Sequence, residues 1–298
     1  MMETIYFVND NIGSHVSFAG NITNTLLTGI NRGMYSIQFF MGNPKSFTRE
    51  YICDKDIIKC QKLLGKYPTN IYSHFPYISN LAGKSKKDCL AWSGNSVVDR
   101  KLSNVIRNLE YELSVIAQIG KGVVIHPGSF PDRDLGHRTV AKTINKIKFT
   151  TGSILLLENC AGEGNRLCRD FTELKFVMDL VTPNNIKHIG ICVDTAHIWG
   201  QGDYDLRKIS EIERMFEEFK SEIGISHFKL LHLNDSKAKL GSKKDRHEHL
   251  GEGEIWGKDK SSLIYLLNNC RKYNIPIILE TGGPCMYTIA TQLKQKLI

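Results

Sequence analysis

SILLLEN, residues 153–159, has four consecutive apolar residues and then ends in a carboxylate and an amide. A strand with one face in water alternates apolar and polar side chains, whereas a strand of a parallel sheet is covered on both faces and is apolar throughout. The segment therefore predicts a buried strand of a parallel sheet that ends at Glu158.

Seven other segments along the chain have a similar β-rich character. They are IGSHVS (12–17), SIQFF (36–40), NIYSHF (70–75), GVVIHPG (122–128), IGICVDT (189–195), FKLLHLND (228–235) and IPIILET (275–281). Between them, apolar residues fall three or four apart from Leu102 to Ile116 and again from Leu206 to Phe219, which predicts amphipathic helices.

Eight strand–helix units predict an α/β fold, a (β/α)8 TIM barrel, which we expect to form a single domain over residues 1–298 with substrate-binding loops at its C-terminal face. The main competing architecture is an open doubly wound sheet. That fold carries a Gly-rich phosphate turn after its first strand, and GSHVSFAG (13–20) does not match GxGxxG.

The composition is that of a globular protein, with 41% hydrophobic and 23% charged residues among 298. The formal net charge of +8 and a pI near 9.0 favour an anionic partner, nucleic acid included.

No apolar run reaches the length of about 18 residues that a membrane span needs, and MMETIYFVND (1–10) lacks a signal-peptide pattern, so we expect no membrane partner. The eight cysteines form no CxxC pair, which indicates a reducing intracellular compartment, the cytoplasm by default.

Metal-competent side chains stand at or just beyond most of the predicted strand ends. They are His74, His126, Glu158, Asp194, His197, His232, Asp235, Asp245, His247 and Glu280. A single histidine at such a place is usually a hydrogen-bonded structural residue, and a single buried glutamate can be salt-bridged. The repetition over five or six strands, without Lys or Arg at those ends, favours cations bound by nitrogen and oxygen donors.

Four of these side chains lie in one loop, HLNDSKAKLGSKKDRHEHLGEGE (232–254), which also carries five Lys or Arg residues between Lys237 and Arg246. The donors are nitrogen and oxygen atoms without thiolate. Such a set favours zinc, with manganese or iron as alternatives. These donors exceed the needs of one tetrahedral ion, so the sequence predicts a cluster of two or three metals. No cysteine is expected among the ligands.

The motifs VIHPGS, LLENCAGEGN, ICVDTAHIWGQGDYD, HLNDSKAKLGSKKDRHEHLGEGEI and ILET resemble, in order and spacing, those of the endonuclease IV family of apurinic/apyrimidinic (AP) endonucleases. The resemblance runs from about residue 12 to residue 281, and the Lys-, Asn- and Ile-rich sequence looks like a viral member. It implies a (β/α)8 barrel with three zinc ions and, at one or more sites, Mn2+ as an alternative.

The resemblance also implies how the nine ligands divide among three zinc ions. His74, His126 and Glu158 would hold the first, and Glu158 would bridge to the second, which also takes Asp194, His232 and Glu280. The third zinc would be bound by His197, Asp245 and His247. In this scheme Glu158 and Glu280 are the catalytic carboxylates that orient the nucleophile, and the glycines let the loop fold back over the metals.

By the same resemblance, the substrate is double-stranded DNA with abasic sites or blocked 3′ ends. Hydrolysis 5′ to the abasic nucleotide would leave a 3′-hydroxyl and a 5′-deoxyribose phosphate, with 3′-repair and 3′→5′ exonuclease activities beside it. The DNA-binding residues implied are Tyr77 and Ile78, which would fill the gap left by the extruded nucleotide, together with His15, Lys45, Lys243, Lys244 and Arg246. Lys45 stands nearest to an arginine that relatives insert into the base stack. We expect a monomer in the cytoplasm and, for a viral protein, also in the host nucleus and the virion.

Two alternatives are weaker. A barrel sugar isomerase or epimerase also places His, Asp and Glu at strand ends, but it does not explain the basic loop or the Tyr77–Ile78 pair. A non-catalytic DNA-binding protein with structural zinc would normally use a closed, thiolate-rich site.

Overall fold

The eight predicted strands form a closed barrel in which every neighbouring pair is parallel. The computed structural model describes residues 11–47, 51–83, 100–257 and 259–281. The strands are β1 (Ile12–His15), β2 (Ser36–Phe39), β3 (Asn70–His74), β4 (Gly122–Ile125), β5 (Leu155–Glu158), β6 (Ile189–Asp194), β7 (Phe228–His232), β8 (Asp235–Ser236), β9 (His247–Glu248) and β10 (Ile277–Leu279). The barrel order is β1-β10-β7-β6-β5-β4-β3-β2, closed by β2 against β1, and β8 and β9 form a separate antiparallel pair. The TIM-barrel prediction is confirmed.

Helices follow the barrel strands and cover the outside of the barrel. They are α1 (Ile22–Ile30), α2 (Asp54–Lys66), α3 (Arg100–Ile119), α4 (Arg133–Ile144), α5 (Phe171–Asp179), α6 (Pro183–Ile186), α7 (Thr195–Gln201), α8 (Ile209–Glu222) and α9 (Ser261–Lys272), with a 3-10 turn at Ile225–His227. Side-chain caps explain several helix starts, because Asn21, Asp132 and Asp170 each accept a backbone N–H three residues on. The two predicted apolar stripes lie in α3 and α8, but Leu206 is a buried residue before α8 begins rather than part of it.

Successive side chains of each strand point alternately toward the helices and into the barrel. The outward ones, such as Ile71, Val123 and Leu155, belong to the main core between sheet and helices. The inward ones form a second apolar cluster, made by Tyr72, Val124, Leu156, Cys192, Leu230 and Ile278. This cluster fills the middle of the barrel and separates the carboxyl ends of the strands from their amino ends.

Five of the six cysteines that the structure describes are buried thiols, and Cys53 is exposed. Their burial is typical of cysteines that act as small core residues. No helix within the described ranges is long and apolar enough to cross a membrane.

Candidate metal centre

The inward position directly above the apolar cluster is polar on every strand of the barrel. Moving two residues on from each member of that cluster leads to His74, His126, Glu158, Asp194, His232 and Glu280, because the side-chain period of a strand is two. On β1 and β2 the corresponding residues are His15 and Gln38, which are register partners. The barrel thus gathers eight polar side chains from eight strands into one ring.

Glu158 lies at the centre of this ring. Its Oε2 atom is 3.1 Å from Nε2 of His74 and 3.4 Å from Nε2 of His126. Its Oε1 atom is 3.0 Å from Nδ1 of His232, which in turn lies 3.2 Å from Oε2 of Glu280. One carboxylate therefore faces two separate groups of imidazoles, which is the geometry of a bridging ligand.

Asp194 and α7 extend the ring on one side. The Asp194 carboxylate caps α7 by accepting the His197 N–H at 2.9 Å, so a helix start places His197 against the barrel mouth. Nε2 of His197 is 3.2 Å from Oδ2 of Asp245, and Nε2 of His247 is 3.1 Å from Oδ1 of the same residue. The β8–β9 pair, in which Ser236 is opposite His247, brings the long loop back over the strands.

All nine predicted ligands are thus brought together. Their donor atoms form close groups that agree in part with the expected division: His74, His126 and Glu158 form one, and Glu158, Asp194, His232 and Glu280 form another. A third close group joins Asp194 with His197 and His247, so Asp194 lies between two of the groups.

The hydrogen bonds of the histidines show that these groups fit cations. Nδ1 of His74 lies 2.8 Å from the carbonyl oxygen of Phe75, and Nδ1 of His197 lies 2.9 Å from that of Asn159. A carbonyl oxygen only accepts, so each Nδ1 carries a proton and each Nε2 faces a carboxylate oxygen. A contact of about 3 Å between Nε2 and that oxygen requires a proton or a cation between them, and a divalent cation would bind both atoms.

The electrostatics lead to the same conclusion. Glu158, Asp194, Asp245 and Glu280 are four carboxylates in one cluster, and within the described parts of the chain they form ion pairs with histidines but with no Lys or Arg. Burial opposes charge on both partners, yet Asp194 and Asp245 raise the pKa of His197 above its ordinary value. His126, by contrast, has its pKa lowered by burial to about 4, so it is a neutral ring suited to metal binding.

A thiol also lies close to the ligands. The Sγ atom of Cys192 is in a close group with Glu158 and His232, just below the ring. Burial raises the pKa of Cys192 to about 12, so without a metal it is a protonated thiol. The sequence placed Cys192 in an apolar run, and only the barrel geometry shows that its side chain points inward.

Sequence reasoning also missed three amides that orient the ligands. Asn234 donates to Oδ2 of Asp194 at 2.6 Å and to Oε2 of Glu280 at 3.1 Å, and Asn159 accepts the Asp194 N–H at 2.7 Å. Gln38 contacts both His232 and Glu280. Each is directly beside a predicted ligand or in an apolar strand at an inward position, which is a signal that period-two counting could have found.

Two of the residues expected to touch DNA, Tyr77 and Arg246, line a cavity of about 360 Å³ over the ring, together with Lys237. Tyr77 and Ile78 are exposed at 47% and 44%, unusually high for large apolar side chains beside a polar site. Tyr77 N–H donates to the carbonyl of Pro44 at 3.0 Å, which brings the loop carrying the exposed Lys45 against it.

His15 is more enclosed than a simple surface contact. Its ring lies 4.7 Å from that of Phe40, which also packs 5.1 Å from Tyr77 and 5.2 Å from His74. Burial lowers the pKa of His15 to about 4, so the ring is neutral near pH 7.

The cations of the long loop are exposed but differ in how they are held. The ammonium group of Lys243 donates to the Gln201 carbonyl, and Lys243 has a left-handed φ of 55°. Nη1 of Arg246 lies 3.4 Å from Oε1 of Glu163 and also donates to the carbonyl of Asp245. Lys244 is exposed at the same loop.

Comparisons with known proteins agree with this geometry. A family model described as a xylose isomerase-like TIM barrel matches residues 31–296. A protein named probable endonuclease 4 from Halothermothrix orenii is 33% identical over 277 residues, covering 91% of this chain and 92% of its own length. An apurinic-apyrimidinic endonuclease of Caenorhabditis elegans is 31% identical over 91% of this chain and 65% of its own length.

Two solved structures share the fold at lower identity. Endonuclease IV from Thermus thermophilus superposes with a TM-score of 0.78 at 22% identity, covering 95% of this chain and 97% of that one. The solved structure of AsfvAP:AG gives a TM-score of 0.76 at 24% identity, covering 95% of both chains. Both extend the likeness to nearly the whole barrel.

Proposed function

This chain belongs to the endonuclease IV family, and we propose that it is a metal-dependent AP endonuclease of DNA base excision repair. The proposed reaction hydrolyses the phosphodiester 5′ to an abasic nucleotide and leaves a 3′-hydroxyl and a 5′-deoxyribose phosphate. The observation that carries the proposal is the cluster of Glu158, Asp194, Asp245 and Glu280 with its histidines, placed below an open cavity with a basic rim. The names of the relatives support an abasic substrate.

We propose that the cluster holds three zinc ions, with Mn2+ acceptable at one or more sites. The division implied by the family resemblance agrees with two of the close groups, and Asp194 is shared between the second and the third. When bound, such cations act as Lewis acids toward a phosphoryl oxygen and provide a nucleophile at neutral pH.

The protein's own carboxylates would position the attacking water. Glu158 is buried and Glu280 borders the cavity. Burial raises the pKa of each carboxyl, but in the metal-free protein the positive charge of His232 and the hydrogen bonds from the facing histidines hold both pKa values below the ordinary one. Both carboxylates therefore remain ionised near pH 7 and accept hydrogen bonds from the water, which directs its lone pair at phosphorus. The apolar cluster below the ring excludes solvent from that side.

Selection of the abasic nucleotide would come from the exposed pair Tyr77 and Ile78. Extruding a nucleotide is cheapest where no base is stacked, and an apolar wedge fills the gap that remains in the duplex. Lys45, beside this pair, offers a phosphate contact but lacks the planar guanidinium that stacks on bases, so the duplex distortion should differ from that of arginine-bearing relatives. His15, Lys243, Lys244 and Arg246 would contact the backbone.

The same positioning of the scissile phosphate would serve removal of blocked 3′ ends and 3′→5′ exonuclease action. We propose a monomer of one barrel domain that acts wherever its DNA is held, in the cytoplasm and, if the protein is viral, also in the host nucleus or the virion. A sugar isomerase or epimerase remains the alternative class, since the matched family model describes that barrel, but the basic rim and the exposed apolar pair do not serve a small sugar.

Strand scission of a duplex with one tetrahydrofuran abasic analogue tests the proposal. Metal-loaded protein is expected to cut once, immediately 5′ to the analogue, and to leave an end that a DNA polymerase extends. An undamaged duplex of the same sequence and chelated protein serve as controls, and aldose isomerisation is assayed in parallel. Fully metallated protein that leaves the damaged duplex intact, or that isomerises aldoses instead, would refute the proposal.

A further inference from the structure

Gln38 is a polar residue of the ring to which the sequence motifs assign no role, and its side chain is fully buried. It extends from β2 toward β7 and β10. Its Oε1 atom is 2.9 Å from Nε2 of His232, and its Nε2 atom is 2.7 Å from Oε1 of Glu280 and 3.2 Å from Nδ1 of His15. Both N–H groups and the oxygen of the amide therefore have a partner.

The orientation of this amide is determined by Glu280. A carboxylate only accepts hydrogen bonds, so the amide must direct its NH2 group at Glu280 and its oxygen at His232. The reverse orientation would place two oxygens 2.7 Å apart in a buried site and leave the second NH2 hydrogen without an acceptor.

The oriented amide then determines the tautomer of His232. Because the Gln38 oxygen accepts, Nε2 of His232 must carry the proton and donate. Nδ1 is then the ring atom left for a cation to bind, and it lies 3.0 Å from Oε1 of Glu158 and 3.2 Å from Oε2 of Glu280. The three facing atoms would be donors for one cation, and the ring is fixed from its far side.

We propose that Gln38 is a positioning residue, which holds His232 and Glu280 in the one arrangement in which both bind the same cation. The inference deepens the proposed function and rests on it for the identity of the reaction. Groups that hold the far nitrogen of a metal-binding histidine typically contribute about 10–100-fold in metal affinity. Only the cation shared by Glu158, His232 and Glu280 should be weakened when the amide is removed.

The test compares Gln38→Met and the shorter Gln38→Asn with wild type and with Gln118→Met, a matched change at an exposed glutamine on α3. Each Co2+-loaded protein is titrated with a chelator, and its metal content is counted by native mass spectrometry. We expect both Gln38 variants to lose one equivalent of Co2+ at a chelator concentration about 10–100-fold lower than wild type requires. The other equivalents and Gln118→Met should behave as wild type.

A second readout separates positioning from general damage. In the Co2+-loaded wild type, the Nε2 proton of His232 should give a hyperfine-shifted signal that exchanges slowly with water, and the Gln38 variants should lose or broaden that signal alone. Retention of every metal equivalent and of every exchangeable signal in a folded Gln38 variant would overturn the inference. The outcome is independent of DNA cleavage: if wild type binds the metals but fails to nick, the proposed function fails while this comparison still stands.

Discussion

Asp235 holds the loop that carries Asp245 and His247, and replacing it with asparagine should release that loop. Its side chain is fully buried. The two carboxylate oxygens accept backbone N–H groups, at 2.8–3.3 Å, from Ser236, Gly251, Gly253, Ile255 and Trp256. Gly251 has a φ of +87°, and a side chain at Gly253 would collide with the carboxylate, so these glycines allow the loop to close around it.

The magnitude follows from counting acceptors. An asparagine of the same shape has one oxygen, so it must turn an NH2 group toward the donors of one side. Oδ1 serves two of the N–H groups and Oδ2 serves three, so Asp235→Asn leaves at least two of them without an acceptor. Each unsatisfied buried group costs about 1–3 kcal/mol, which gives a loss of about 2–6 kcal/mol in the free energy of unfolding.

The free energy of unfolding of a typical domain is about 5–15 kcal/mol. A loss of about 2–6 kcal/mol should therefore leave most of the variant folded while the loop is released. The assay is urea unfolding of the metal-free protein, followed by chelator titration of the loaded one. We expect the metal ion bound by Asp245 and His247 to be the first that the chelator removes from the variant. Asp259→Asn is the matched control, because asparagine can accept the same hydrogen bond from the Ser261 N–H and little change is expected.

A loss below about 1 kcal/mol, with all metals retained, would refute this reasoning. It would mean that the loop is held by its other contacts, such as the β8–β9 pairing, rather than by the buried carboxylate.

Three further predictions concern catalysis and DNA binding. Glu280→Gln should keep most of its affinity for abasic DNA but lose nicking by about 10²–10⁴-fold, since the amide cannot orient water as the carboxylate does; equal nicking rates would exclude that role. Tyr77→Ala should slow cleavage of the abasic duplex more than removal of a 3′-phosphate, and equal losses in the two assays would argue against the wedge. Changing Lys243 and Lys244 together to alanine should flatten the plot of log affinity against log salt by about 0.9 for each lost phosphate contact, whereas an unchanged slope would count against backbone contact.

The barrel and the ligand positions could be predicted because both depend on local pattern. A run such as ILLLE specifies a strand buried on two faces, and Glu158 ends it because a parallel strand places its functional groups at its carboxyl end. The resemblance to the family then implied how these donors divide among three metal sites.

What the sequence did not show is the contacts between strands that are distant along the chain. Gln38 and Glu280 are 242 residues apart, and their 2.7 Å contact exists because β1 alone separates β2 from β10 in the closed barrel. The inward-facing thiol of Cys192 was missed for the same reason, since an apolar run looks alike on both faces of a strand. The boundary of α8, which excludes Leu206, depends on packing that periodicity alone does not report.

The proposed reaction requires several adjacent cations acting together at the barrel mouth. Metal-free protein should therefore be titrated with zinc while scission of the tetrahydrofuran-containing duplex is followed. We predict that nicking stays low through the first equivalents and rises to its full rate as the third equivalent per chain is bound. Full activity after a single equivalent, or no activity at saturation, would contradict the account.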